Sequence, residues 1–194
     1  MKKLICLVLA AILALSPVSA FAETEKGEQP LEAMEIAKEN VKALRKQLLA
    51  PDTMTLNSDV YIVEVGNGTL NYSMLGEAYT LYVVSYSSQN EYGVPIHETV
   101  IFDGNKYIGT EQDLEKVQGE IDTLRMKSDR LDGMDKLQAL ADARNLQIYH
   151  VKYSGYFGIN ASNYSEYSGM ISGFSRVSGE WIAEELGIEY KSFD

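Results

Sequence analysis

Cysteine is nearly missing from this chain. The single one, Cys6, sits near the start of an N-terminal apolar run. Removal of that leader takes it away, so the remainder has neither disulfides nor thiol chemistry and must be held by packing alone. Histidine is almost as scarce: His97 and His150 are the only two. Each falls in a predicted strand with no second ligand at metal spacing, which argues against a zinc site or an imidazole acid-base pair. Basic charge is short as well, with 17 lysines and arginines against 28 acidic residues and a net charge of −11. Such a surface is a poor partner for nucleic acid or anionic lipid.

Catalytic signatures are absent too. There is no phosphate loop and no dinucleotide fingerprint. Gly173-Phe174-Ser175-Arg176-Val177 begins like a nucleophile elbow but lacks the second glycine and a preceding strand. Asp129, Asp132 and Asp135 flank Gly133, yet their spacing is not that of a calcium loop, and they read as a solvated helix end. The sequence therefore assigns no catalytic residue, no metal and no cofactor.

Residues 1–22 carry two lysines, an apolar run at 4–15, Ser16-Pro17 and the small-residue ending Ala20-Phe21-Ala22. That pattern predicts a secretory signal peptide cleaved after Ala22, and hence a secreted or envelope protein with no membrane span after cleavage. The run is short for a span and is followed directly by acidic residues. Cys6 lies near the start of the run rather than after it, so it does not match a lipoprotein cleavage site. Cleavage leaves 172 residues with 15 basic against 28 acidic side chains, a balance of −13. This is enough for one domain with a core of its own, with or without an appendage.

The chain is organised around residues 79–102, read as two strands joined by a turn at Gln89-Asn90-Glu91-Tyr92-Gly93. Tyr79, Leu81 and Val83 point to one face and Thr80, Tyr82, Val84 and Tyr86 to the other. Both faces are largely apolar, as in a central strand covered on one side by a helix and at least partly on the other. The turn is read as structural, with Asn90 or Gly93 left-handed. Pro30 suits the first turn of a helix running to about residue 50, whose stripe is Met34, Ala37, Val41, Leu44 and Leu48. Residues 60–65 are a β-branched strand, Gly66-Asn67-Gly68 suits a hairpin turn, and residues 69–75 are expected to pair back. The expected fold is α+β: a helix packed on an antiparallel meander of about four strands, cystatin-like in general character, over residues 23–109.

Leu48-Leu49-Ala50-Pro51-Asp52-Thr53 follows the pattern LxxPxT at the end of an amphipathic helix, and Gln89-Asn90-Glu91-Tyr92-Gly93 follows QNxxG at the end of a strand. Together they resemble a small domain common in exported bacterial proteins and lipoproteins, a family with no established activity to transfer. The resemblance covers about residues 31–108. Met54 and Leu56 depart from it, as does the long tail.

Residues 110–194 form an extension of helices and aromatics. Thr110 and Asp113 mark a helix start, with Leu114, Val117, Ile121 and Leu124 as its stripe. Asp132-Gly133 breaks it, and Met134, Leu137, Leu140 and Ala141 predict a second helix ending near Asn145. Residues 146–153 then alternate like a strand, and residues 180–186 read as a short helix stopped by Gly187. Between them lies a Ser-, Gly- and Asn-rich stretch with Tyr156, Phe157, Tyr164, Tyr167 and Phe174. Such rings either stack on sugars or peptide or line a core, and the sequence leaves both open. With Tyr153 they are the candidate ligand-binding residues. The function expected is a non-catalytic binding or accessory module with a glycan or protein partner. One alternative is an enzyme acting on carbohydrate through carboxylates such as Glu98 or Glu77. The other is an inhibitor or accessory subunit, which needs an apolar loop at the end of the sheet.

Overall fold

The computed structural model describes residues 30–192, so the predicted leader at 1–22 lies outside the described residues. They form a mixed α and β fold with five α-helices and a seven-stranded, mostly antiparallel sheet. Among them no helix is long and apolar enough to cross a membrane.

Strand β3 (Tyr79–Gln89) is the axis of the sheet. Along one side it pairs antiparallel with β4 (Pro95–Asp103), from Leu81 opposite Asp103 to Gln89 opposite Pro95. Beyond β4 lies β5 (Lys106–Thr110), joined to it through the turn at Gly104. On its other side β3 meets two strands end to end. The first half of β3 pairs with β2 (Val60–Val65) and the second with β1 (Thr55–Leu56). The outermost position comes from the C-terminal part of the chain: β6 (Gly173–Val177) runs antiparallel to β2, and β7 (Glu189–Tyr190) runs parallel to β1.

Each face of this sheet has its own core. On one side α1 (Leu31–Gln47) lays Ala37, Val41 and Leu44 over Ile62, Tyr82, Val84, Val100 and Phe102. The same layer holds α5 (Gly179–Leu186), which adds Ile182 and Ala183. Gly179 must be glycine, since a Cβ there would lie 2.4 Å from the Ser58 carbonyl oxygen. On the opposite side the hairpin of α3 (Glu111–Ser128) and α4 (Gly133–Tyr153), with the segment 154–172, covers Tyr61, Val63, Leu81, Val83 and Ile101. Fully burying one aliphatic side chain stabilises by about 1.5–3 kcal/mol, so a strand apolar on both faces demands cover on both.

Four local readings are corrected. Residues 69–75 do not pair with β2. Thr69 accepts the Tyr72 amide through its side chain, starting α2 (Leu70–Leu75), and β2 finds its partners in β3 and β6 instead. The first helix stops at Gln47, short of residue 50, and Pro51–Thr53 form a single 3-10 turn. Residues 146–153, expected as a strand, are the last two turns of α4, which therefore carries His150. Met134, Leu137 and Leu140, expected as the inner stripe of that helix, are exposed, and the small side chains Ala139 and Ala143 face inward. The capping box of Thr110 and Asp113 is present, with both reciprocal hydrogen bonds made.

The turn between β3 and β4 is built by Asn90. Its Oδ1 accepts the amides of Tyr92 and Val94, each at 3.0 Å, and Gly93 takes φ +73°. The strand end is also tied to the 3-10 turn, because the Gln89 amide donates to Thr53 Oγ1 at 3.0 Å. A Gly93→Ala variant should lose about 1 kcal/mol, the ordinary cost of a Cβ in the left-handed region. Thermal unfolding measures this, and an unchanged midpoint would refute the structural role of the turn.

Candidate functional site

The face of β3 beneath the helical hairpin changes character along the strand. Tyr79, Leu81 and Val83 are buried, and the next side chains on that face are Ser85, Ser87 and Gln89. On β4 the same switch runs from Ile101 to Thr99 and His97. The helical cover stops where the side chains turn polar, and an open cleft of about 420 Å3 results. Its floor includes Ser85, Thr99, His97 and Asn57, the last from the break between β1 and β2. One wall is the start of α3 at Thr110, Glu111 and Gln112, and the other is Phe157-Gly158 from the loop after α4.

The floor is organised by hydrogen bonds between facing residues. Ser85 and Thr99 are cross-strand partners with hydroxyls 2.9 Å apart. Ser87 and His97 are likewise opposite, with Ser87 Oγ 2.7 Å from His97 Nδ1. Ser87 donates its one proton to Asn57 Oδ1 at 2.8 Å, so its contact with the ring makes Nδ1 the donor. In the neutral imidazole Nε2 is then the acceptor. Glu98 also lines the cleft, but its carboxylate accepts the Tyr86 hydroxyl at 2.5 Å, and Tyr86 belongs to the core under α1. Burial, helped by Glu98, pushes the Tyr86 hydroxyl well above the usual phenol range.

The aromatic residues singled out from the sequence are placed apart from one another. Tyr156 is fully buried, accepting from Asn71 Nδ2 at 2.8 Å and donating to the Met170 carbonyl at 3.3 Å. Tyr153 is buried against Tyr149 and Tyr79 and donates to Asp103 Oδ2 at 2.8 Å. Burial first, and then Asp103, raise its pKa above the ordinary tyrosine value. Phe157 is also buried, yet one side of it reaches the cleft. Tyr164, half-buried, stacks on Phe174 at 4.6 Å with the rings 4° from parallel, and Phe174 stacks in turn on Tyr61 at 5.6 Å. Tyr167 is half-buried near Gly158, where an added Cβ would lie 3.5 Å from its hydroxyl. Of the five, the structure brings only Phe157 into the lining of the cleft. Gln89, Asn90 and Gly93 form the hairpin turn already described.

A second polar cluster fixes the hairpin to the sheet. Lys152 Nζ lies 2.8 Å from Glu77, 2.9 Å from Asp103 and 4.5 Å from the centre of the Tyr79 ring. Burial alone would lower its pKa, but the two carboxylates outweigh that and raise it. Among the described residues no three histidine, cysteine, aspartate or glutamate side chains are placed to hold a metal ion. Comparison with known proteins finds no matching family model, no matching curated protein and no matching solved structure.

The polar cleft was missed from the sequence, although its signal was there. Positions 85, 87, 97 and 99 share one face, and all four are polar where Leu81, Val83 and Ile101 on the same face are apolar. A Lys152→Met variant keeps the length of the side chain but leaves Asp103 without its cation. It should lose about 2 kcal/mol, within the usual range for breaking a partly buried ion pair. Chemical denaturation measures the loss, and a variant as stable as the parent would remove this cluster as an anchor of the hairpin.

Proposed function

We propose that the protein is an exported, non-catalytic binding module whose cleft holds a hydroxyl-rich ligand, a segment of envelope glycan. The observation that carries this is the floor of Asn57, Ser85, His97 and Thr99 beside Phe157, with Ser87 bonded to Asn57 and His97. Sugar hydroxyls both donate and accept, and this floor offers hydroxyls, an amide and an imidazole acceptor beside an apolar ring. About 420 Å3 falls within the size of ordinary small-ligand sites. Export is supported by the pattern of residues 1–22 and the acidic balance. The resemblance to small exported bacterial domains gains support from the bond between the Gln89 amide and Thr53, which ties its two motifs together. The helix α1 laid along an antiparallel sheet supports the cystatin-like comparison in general character.

The carbohydrate-cleaving alternative needs two carboxylates facing one cleft, and the geometry favours it less. Glu98 is engaged by Tyr86 and Glu77 by Lys152, which leaves Glu111 on the wall. A second reading, an accessory or inhibitory subunit, is favoured by one observation. Tyr92 and Val94 at the hairpin tip are 80% and 53% exposed, on a turn braced by Asn90.

Titration of the mature chain, residues 23–194, with soluble oligosaccharides tests the proposal. Saturable binding is expected, and His97→Ala should weaken it about tenfold, the worth of one or two net hydrogen bonds. Tyr92→Ser should leave it intact. If glycans do not bind, and a protein partner is instead lost with Tyr92→Ser, the function belongs to the hairpin tip.

A further inference from the structure

The wall of the cleft also borders a second hollow. Glu111 and Phe157 also line a second depression of about 100 Å3, together with Leu114, Glu115, His150 and Ser154. The two hollows therefore share these two residues in their linings. One holds His97 of β4 and the other His150 of α4, the two histidines of the sequence. The first lies at the polar end of the sheet beside the start of α3, and the second at the crevice between α3 and α4.

We infer that the two hollows act as one groove for a linear oligosaccharide, with one unit on the sheet floor and the next reaching Glu115 and His150. The inference rests on the binding reading above and extends it. Glu111 and Glu115 are one turn apart on α3, a rise of about 6 Å along the helix axis, similar to the advance of one unit in a linear sugar chain. Phe157, largely buried, lines both hollows and so offers an apolar edge where a sugar would bridge them. Glu115, His150 and Ser154 supply a carboxylate, an imidazole and a hydroxyl, the donor and acceptor types that hydroxyl recognition uses. The second hollow is much the smaller, so it holds an edge of the second unit and adds affinity to the first site.

The test uses β-linked N-acetylglucosamine oligomers of one to four units, titrated calorimetrically into the mature chain. Affinity should rise about tenfold from one unit to two, equivalent to one or two further hydrogen bonds. It should then level off. Glu115→Gln and His150→Ala should each reduce that rise, and the double variant should bring the longer oligomers down to the affinity of one unit. Far-ultraviolet circular dichroism and thermal midpoints check that the variants fold. Affinity independent of length, or a rise that survives the double variant, overturns the second hollow while leaving the cleft reading intact. Absence of binding at every length overturns both.

Discussion

Burial of β3 on both faces is the constraint on which the rest of the structure depends. Leu81, Tyr82, Val83 and Val84 are consecutive and all nearly inaccessible, so adjacent residues demand cover from opposite directions. One layer is met locally by α1, whose stripe is continuous in sequence. The other is met by a hairpin and an irregular segment distant in sequence. Their inner surface joins Leu114, Ile159 and Ile171 to aromatic rings, and Tyr153 and Tyr156 enter it with hydroxyls paired to Asp103, Asn71 and Met170. A buried phenol without such partners would carry a desolvation cost comparable to the gain from burying its ring.

The polar end of the sheet arises from the same constraint. Where the second cover runs out, an apolar floor would be an exposed patch; serines, a threonine, an asparagine and a histidine stand there instead. These groups bond to one another across the strands and are held in place before any ligand arrives. Preorganisation of this kind lowers the ordering cost of binding.

Much of the fold was legible from residue patterns, and the exceptions share a cause. The alternation in residues 79–89 and the β-branched run 60–65 mark their strands because, Ser88 apart, each position's polarity matches its burial. Gly66-Asn67-Gly68 misled because a turn sequence does not specify the element after it, and Thr69 capped a helix there. In residues 146–153, Tyr149 and Tyr153 fit a strand face with Val151, but they also stand four apart on one helical face. The strand β6 stayed hidden because Gly173, Ser175 and Arg176 have weak strand propensity, and its place is set by pairing with β2. The cleft lay in plain sight as polar alternate positions. Its meaning required knowing where the cover ends, which is a property of segments far away in sequence.

The outer edge of the sheet has a consequence for how the molecule forms. Strands β6 and β7 close positions beside β2 and β1, and the Ser172 amide reaches back to the Glu64 carbonyl across more than a hundred residues. Loop closure of that length is slow, since its entropy is lost before the contact is gained. A chain emerging from its N-terminus exposes the flank of β2 and β1 until residues 173–190 are available. Completion of the sheet is therefore a late event, and a truncation removing the last two strands would leave a long unpaired edge open to association with other chains.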